Sequence, residues 1–433
     1  GRGLMRLRRA MSGPRAVPRF RYEGAGSDLV SAFPIPGVAR MKKSTLRASA
    51  LLLAILGLVA TGTATAAGDL DPDFGAGAGY VVVPFGTGDN PHDQFQAVIV
   101  DSHGRTLAAG FRTDGSPSGD DRDFALVRLL PDGTPDLAFG PDGKRRVGFN
   151  LGGFEDRAES IHETAEGAYV VCGLALTGAS MAGPVGALAL ARLLEDGLPD
   201  TSFDLDGRRT LHVPHPVDGD RNVGGFCAPA GDGGVVAAVG VYNAGFSQLL
   251  VGVVKLLPDG SLDTAFNGSG YQVFDPSVGG IGVAMTNAIA VQPDGRIVVA
   301  GATPGSGGLA NLDMFAARLL PDGALDPSFG DGGVRTIAFD QGGGDDDIAA
   351  AVTTTADGGL LLAGRAGTAS SGTDIALVRL QADGDLAPGF GTNGRVLIAY
   401  DGGSNVDDEA SAVTVDSQGR FLVAGASMVV PDN

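Results

Sequence analysis

The chain runs to 433 residues with 71 Gly, no Trp and 19% charged residues, which excludes a helical bundle or a disordered acidic tail and points to a turn-rich all-β protein. Its 50 acidic residues outnumber 31 basic ones, a formal charge of −19 that disfavours a phosphate backbone or an anionic membrane as partner. Two cysteines exclude a small disulfide scaffold, and 43% hydrophobic residues are enough for a core.

Residues 1–40, starting Gly1-Arg2-Gly3, are basic, contain Pro and resemble nothing downstream; they read as upstream translation, disordered and outside the fold. Residues 41–66 read as a signal peptide. Lys42, Lys43 and Arg47 precede an apolar run from Ala48 to Ala60, which is too short to span a bilayer, and Ala64-Thr65-Ala66 offers a cleavage site. Removing residues 1–66, which carry 11 of the 31 basic and 2 of the 50 acidic residues, leaves 20 against 48, a net charge of −28. The expectation is an exported protein, periplasmic, cell-surface or extracellular, with no membrane insertion after cleavage.

From residue 67 to 433 one unit recurs six times, over roughly 69–138, 139–202, 203–265, 266–328, 329–389 and 390–433. The first unit opens on an Asp-x-x-Phe phrase at Phe74, then runs through a strand YVVVPF, a loop GTGDNPHD, a strand QAVIV, a hairpin turn DSHGR, a strand TLAAGF, a loop TDGSPSGDDRD, and a strand FALVRLL ending in PDG. The Phe returns at 139, 203, 266, 329 and 390, the hairpin Gly at 104, 167, 233, 295, 358 and 419, and the Asp-Gly turn at 133, 197, 260, 323 and 384. Asp-Gly turns suit tight hairpins because Gly accepts positive φ, so the four strands of a unit pair antiparallel. One period shared by every strand excludes a sandwich, and a period near sixty is too long for a β-solenoid. The predicted fold is all-β, a β-propeller of four-stranded antiparallel blades, five complete and a sixth lacking its last strand. The sixth unit stops at FLVAGASMVVPDN, and the reading expects a longer frame that continues into a further strand.

Within this scheme the recurring Phe is predicted to pack between blades. Asp71, Asp136, Asp200, Asp263 and Asp326 are predicted to cap the turn before it, and Arg128, Arg192, Lys255, Arg318 and Arg379 to pair with nearby acids. Ala387 breaks the Asp series in the last complete unit. The phrases RLLPDGxLDxxFG and AVQPDGRIVVAG resemble the delta-60 repeat family of bacterial exported proteins, a β-propeller-like family of unknown function, over about residues 69–425. The resemblance implies blades and no catalytic or binding residue. The third unit departs most from the pattern, with AGDGG at its hairpin and FCAPA before it.

Cys172 aligns with Ala109, Val239, Ala300, Ala363 and Ala424, and Cys227 with Val98, Ile161, Ile289, Val352 and Val413, so both fall at core positions. The favoured reading is two buried thiols acting as small hydrophobes, with a disulfide as the alternative.

Strand order puts the short turns and the Phe connections on one face and the long variable loops on the other. The loop face collects Asp89, Asp93 and Glu409 together with the calcium candidates Asp120, Asp121, Asp123, Asp345, Asp346, Asp347, Asp407 and Asp408, hard oxygen donors whose spacing fits no calcium loop. Solvated acidic loops are the favoured reading. Of His92, His103, His162, His212 and His215, only the last two are close, and their spacing points them apart on a strand. No catalytic residue or cofactor is predicted, there being no nucleophile elbow, zinc spacing or phosphate loop. The expectation is a non-catalytic interaction or envelope-surface module whose acidic loop face binds a protein or glycan. The alternatives are a glycan-active or ester-hydrolysing propeller, and an architectural segment of a larger surface protein.

Overall fold

The structure is a computed structural model. It describes residues 70–428 apart from 86–92, 114–121, 150, 153–154, 181–182, 278–279, 281, 306–307, 342–345, 370–371 and 400–406, together with the backbone of three strands near the N-terminus. Those are β1 (Leu4–Ala10), β2 (Val17–Glu23) and β3 (Ser27–Leu29). The signal segment 41–66 lies outside the described residues.

After β4 (Tyr80–Val82) come five four-stranded antiparallel blades in strict succession, the second and third joined into one eight-stranded sheet by a single pairing of Gly186 with Asn222. Blade I is β5 (Asp93–Val100), β6 (Thr106–Thr113), β7 (Arg122–Leu129) and β8 (Lys144–Val147). Blade II is β9 (Asp156–Glu163), β10 (Tyr169–Ser180), β11 (Gly183–Leu193) and β12 (Arg208–Leu211). Blade III is β13 (Arg221–Pro229), β14 (Val235–Tyr242), β15 (Leu249–Leu256) and β16 (Tyr271–Phe274). Blade IV is β17 (Met285–Val291), β18 (Ile297–Gly305), β19 (Gly308–Leu319) and β20 (Val334–Ile337). Blade V is β21 (Ile348–Thr354), β22 (Leu360–Thr368), β23 (Gly372–Leu380) and β24 (Arg395–Ile398), and a sixth blade begins with β25 (Asp408–Val415) and β26 (Phe421–Met428). This is a β-propeller, with the innermost strands of all six blades lining one axial cavity of about 590 Å³.

The sheets are cut one strand later than the repeat units. The strand after each Asp-x-x-Phe phrase folds back on the strand before it, as Lys144 against Val127 and Arg208 against Ala191, and becomes the outer strand of that blade. The hairpin formed by the Asp-Gly turn and the Phe connection makes this pairing local, so it wins over pairing forward. A consequence appears at the ring's seam. The strand after Phe74, β4, has the outer-strand position with no blade of its own before it, and it pairs with β1. On the other side of the seam β26 pairs with β3. Residues 4–29 therefore supply strands where the sequence predicts a disordered leader; the two exposed edges, β4 and β26, present unpaired backbone groups that a strand from elsewhere satisfies.

Second strands are the driest elements. β6, β14 and β18 are buried almost end to end, because each faces the neighbouring blades on both sides. Their alternation sorts residues between seams: Tyr169 and Val171 pack toward blade I, Val170 and Cys172 toward blade III. A further regularity sits where the second strand meets the innermost one. Each innermost strand carries an irregularity in its pairing, between Phe95 and Ala97 in β5, between Ala349 and Ala351 in β21 and between Ala410 and Ala412 in β25. Opposite it the second strand has Gly110, Gly364 or Gly425, where a Cβ would lie 1.9 Å from a carbonyl oxygen of the innermost strand. No other residue fits there.

Cys172 and Cys227 form a disulfide, with 5.9 Å between their Cα atoms and a sequence separation of 55. The sequence places both in the core but favours free thiols. What alignment by unit conceals is that the second strand of blade II and the innermost strand of blade III face each other across one seam, so two different core positions become neighbours.

Candidate functional site

Recurring polar groups on the short-turn face pair with one another. The base on each third strand bonds the Asp of its own blade: Arg128 to Asp136 at 2.8 Å, Arg192 to Asp200 at 3.1 Å, Lys255 to Asp263 at 3.0 Å and Arg318 to Asp326 at 2.8 Å. The same Asp residues accept a backbone N–H two residues on, from Ala138, Ser202, Ala265 and Ser328. Arg192 also donates to the carbonyl of Pro258, and Arg128 and Arg318 to those of Glu195 and Ala382, each at the turn of the next blade. Where Ala387 replaces the Asp, Arg379 turns to Asp357 on the hairpin of its own blade, with both oxygens at 2.6 Å.

The Phe closes the stitch. Phe139, Phe203 and Phe329 are wholly buried, each in a cluster drawn from two adjacent blades, and Arg128 and Arg318 stack 4.8 and 4.6 Å from the rings of Phe139 and Phe329. The residue after the Phe donates its N–H to the turn of the next blade, as Asp204 to Asp259 and Gly330 to Asp383. The turn glycine is needed twice over: Gly384 has φ of +86°, and a Cβ there would meet Gly330 N at 2.7 Å and the Phe329 ring at 3.0 Å.

The axial cavity holds polar residues that the sequence reading passes over. Gln96, Glu159, Asn287 and Ser411 line it, each on an innermost strand. All four stand eight residues before a hairpin Gly, an offset that could have marked them in the sequence. Their bonding is structural. Glu159 accepts Gly225 N at 2.6 Å on one oxygen and Arg157 on the other, and Asn287 donates to the carbonyl of Ala349 in the next blade. Burial raises the Glu159 carboxyl above its usual range, against the pull of Arg157, and burial pushes the His162 imidazole down to about 4. Glu409 bonds Arg365. Both of these carboxylates are paired with an arginine of their own or the adjacent blade.

Among the described residues, one trio of metal-ligand type converges, Asp101, His103 and Glu163, with ligand atoms within 4.8 Å of one another. It is already saturated. Asp101 accepts from His103 N, Arg105 N, Arg105 Nε and Tyr169 Oη, Glu163 accepts from Ser102, and the Arg105 guanidinium lies 3.2 Å from His103 Nδ1. A second cation there would face Arg105 directly.

On the long-loop face, Asp89, His92, Asp120, Asp121 and Asp345 lie outside the described residues. The remaining candidates do not share one site but fall at three seams between blades. Asp123 is buried and paired with Arg146; Asp346 accepts Leu312 N at 3.2 Å; Asp347 accepts Phe339 N at 2.5 Å; the exposed Asp407 accepts both N and Oγ1 of Thr373; and Asp408 is buried. Most are turn and loop caps. Asp93, Asp156 and Asn222 repeat the Asp347 pattern, each accepting a backbone N–H from the chain entering its blade: Phe85, Phe149 and Val213. His212 is exposed and His215 buried, and they do not meet.

Five stretches of the chain, residues 104–139, 174–203, 232–266, 292–329 and 355–390, match the family model described as a β-propeller domain of unknown function, DUF5122; each ends on the recurring Phe. No curated protein matches the sequence. Among solved structures, the chain is similar to a protein of unknown function from Dyadobacter fermentans (13% identity over 78% of this chain and 96% of that one, TM-score 0.44). It is also similar to polysaccharide lyase Uly1 (11%, 78% and 78%, 0.41) and to the α-L-arabinofuranosidase Arb93A of Fusarium graminearum (10%, 78% and 94%, 0.42). At these values the likeness carries nothing about chemistry.

Proposed function

We propose that the chain is an exported, non-catalytic interaction module that presents its long-loop face to a protein or a glycan at the cell envelope. The observation that supports this reading is how the polar groups are used. On the short-turn face and around the axial cavity, the charged side chains bond one another or the backbone of a neighbouring blade, which leaves variation to the loops. The loop between β12 and β13 illustrates the surface on offer, with Asp218 and Asp220 exposed and Val217 77% exposed beside them.

The test has two arms. Purified protein is incubated with chromogenic glycosides, esters and polysaccharides, and in parallel with a glycan array and isolated bacterial envelopes. The reading expects no turnover, and retention that drops at least tenfold in Asp218→Asn with Asp220→Asn. Turnover that disappears in Glu159→Gln would replace it with an enzyme.

A further inference from the structure

Two positions meet at every seam on the loop face: the residue five before the third-strand base, and the residue eleven before the next blade's hairpin Gly. Short backbone contacts bring them together, as Arg122 against Glu155, Gly186 against Asn222, Leu249 against Val283, and Asp347 N donating to Leu312 O at 2.6 Å. The occupants vary in concert. They are Asp123 and Asp156 at seam I–II, Ala187 and Asn222 at II–III, Leu250 and Ala284 at III–IV, Asp313 and Asp347 at IV–V, and Asp374 and Asp408 at V–VI. Carboxylate meets carboxylate at three seams, and apolar residues or an amide fill the other two.

Seam I–II has its own cation, since Arg146 on the outer strand bonds Asp123. Thr336 occupies that outer-strand position in blade IV, paired with Phe315 as Arg146 is with Ala125. The consequence is visible at the carboxylates. Asp313 is 8% and Asp347 2% exposed, and each has a fully buried Oδ1 with no hydrogen-bond partner among the described residues. The exposed Asp340 adds a third negative charge acting on both. No ion pair to Asp313, Asp340 or Asp347 exists among the described residues. Buried, unneutralised carboxylates of this kind are stable only with a counter-charge or a proton.

We propose that seam IV–V binds a calcium ion between the Oδ1 atoms of Asp313 and Asp347. The donors are all hard oxygens, as calcium prefers, and a site with two orphan carboxylate oxygens resembles in charge the weaker extracellular class, with affinity on the order of millimolar. The ion takes the part that Arg146 plays at seam I–II, tying the middle of β19 to the residue entering β21. The inference is independent of any partner on the loop face.

Thermal melting of the whole chain at pH 7.5, after chelation, with calcium or magnesium added back, tests it. Wild type gains roughly 3–5 °C at saturating calcium and less with magnesium. Asp313→Asn with Asp347→Asn melts no lower than chelated wild type, because it removes the repulsion, and loses the calcium gain. Thr336→Arg imports the solution of blade I, so it raises the chelated midpoint and shrinks the calcium gain at least threefold. The proposal is overturned by a calcium gain that survives in the double variant, which would put the ion elsewhere. It is equally overturned by a wild type that ignores calcium, whether acidification stabilises it, leaving a shared proton as the occupant, or has no effect.

Discussion

Seam II–III and seam IV–V are built from equivalent strand positions, yet one is sealed and the other charged. At II–III the disulfide, Ala187 and an Asn222 that both accepts from and donates to Val213 leave no net charge to balance. At IV–V the same positions hold Asp313 and Asp347. The propeller thus fixes where side chains meet, while the chemistry of each meeting is set seam by seam.

Breaking the sealed seam gives the largest effect. Cys172→Ala with Cys227→Ala removes a crosslink closing a loop of 55 residues, and the chain-entropy account puts the loss at about 4 kcal/mol, read from urea midpoints with and without reductant. Wild type in reductant should approach the variant. Charging the sealed seam comes next: Asn222→Asp buries a carboxylate against the Val213 carbonyl to which the amide donates. It should cost about 3 kcal/mol at pH 8 and clearly less at pH 5, where a protonated acid restores the donor.

The charged seam has the pH dependence that the sealed one lacks. Burial first, opposed by the Phe339 N–H and reinforced by Asp313 and Asp340, pushes Asp347 up to about 7, above the roughly 3.9 of an unfolded Asp. The folded state therefore holds more protons between those values. In calcium-free buffer, stability should rise by about 2 kcal/mol as pH falls from 8 to 5, and the gain should vanish in Asp347→Asn. Asp326 works the other way: although burial alone would raise it, Ser328 and Arg318 hold it at about 2, so its contribution is lost only in strong acid. The smallest effect tests the turn face. Ala387→Asp restores the missing cap in blade V and should add about 0.5–1 kcal/mol, since Arg379 is already partnered by Asp357.

Much of this was legible in the sequence. The period predicts the blades, the division into two faces and the roles of Phe139, Arg128 and Asp136, because those residues act within one unit or between adjacent copies. The strand phase was not legible, since a repeat has no intrinsic start and only backbone pairing shows where a sheet ends. Nor was the cysteine pair, whose partners occupy different positions of different units. The candidate acids were found as residues but not as pairs: Asp313 carries no loop signature, and it matters only because Asp347 lies across the seam.

The glycine and the Phe at each turn have one last implication. A unit cut from Phe to Phe carries both the ring and the turn that receives it, Phe203 at Gly260 or Phe329 at Gly384, and the two fold into adjacent blades. Duplicating or deleting one period by unequal recombination leaves every lock facing a matching key. Such a chain can change its number of blades in a single genetic event without inventing a new interface.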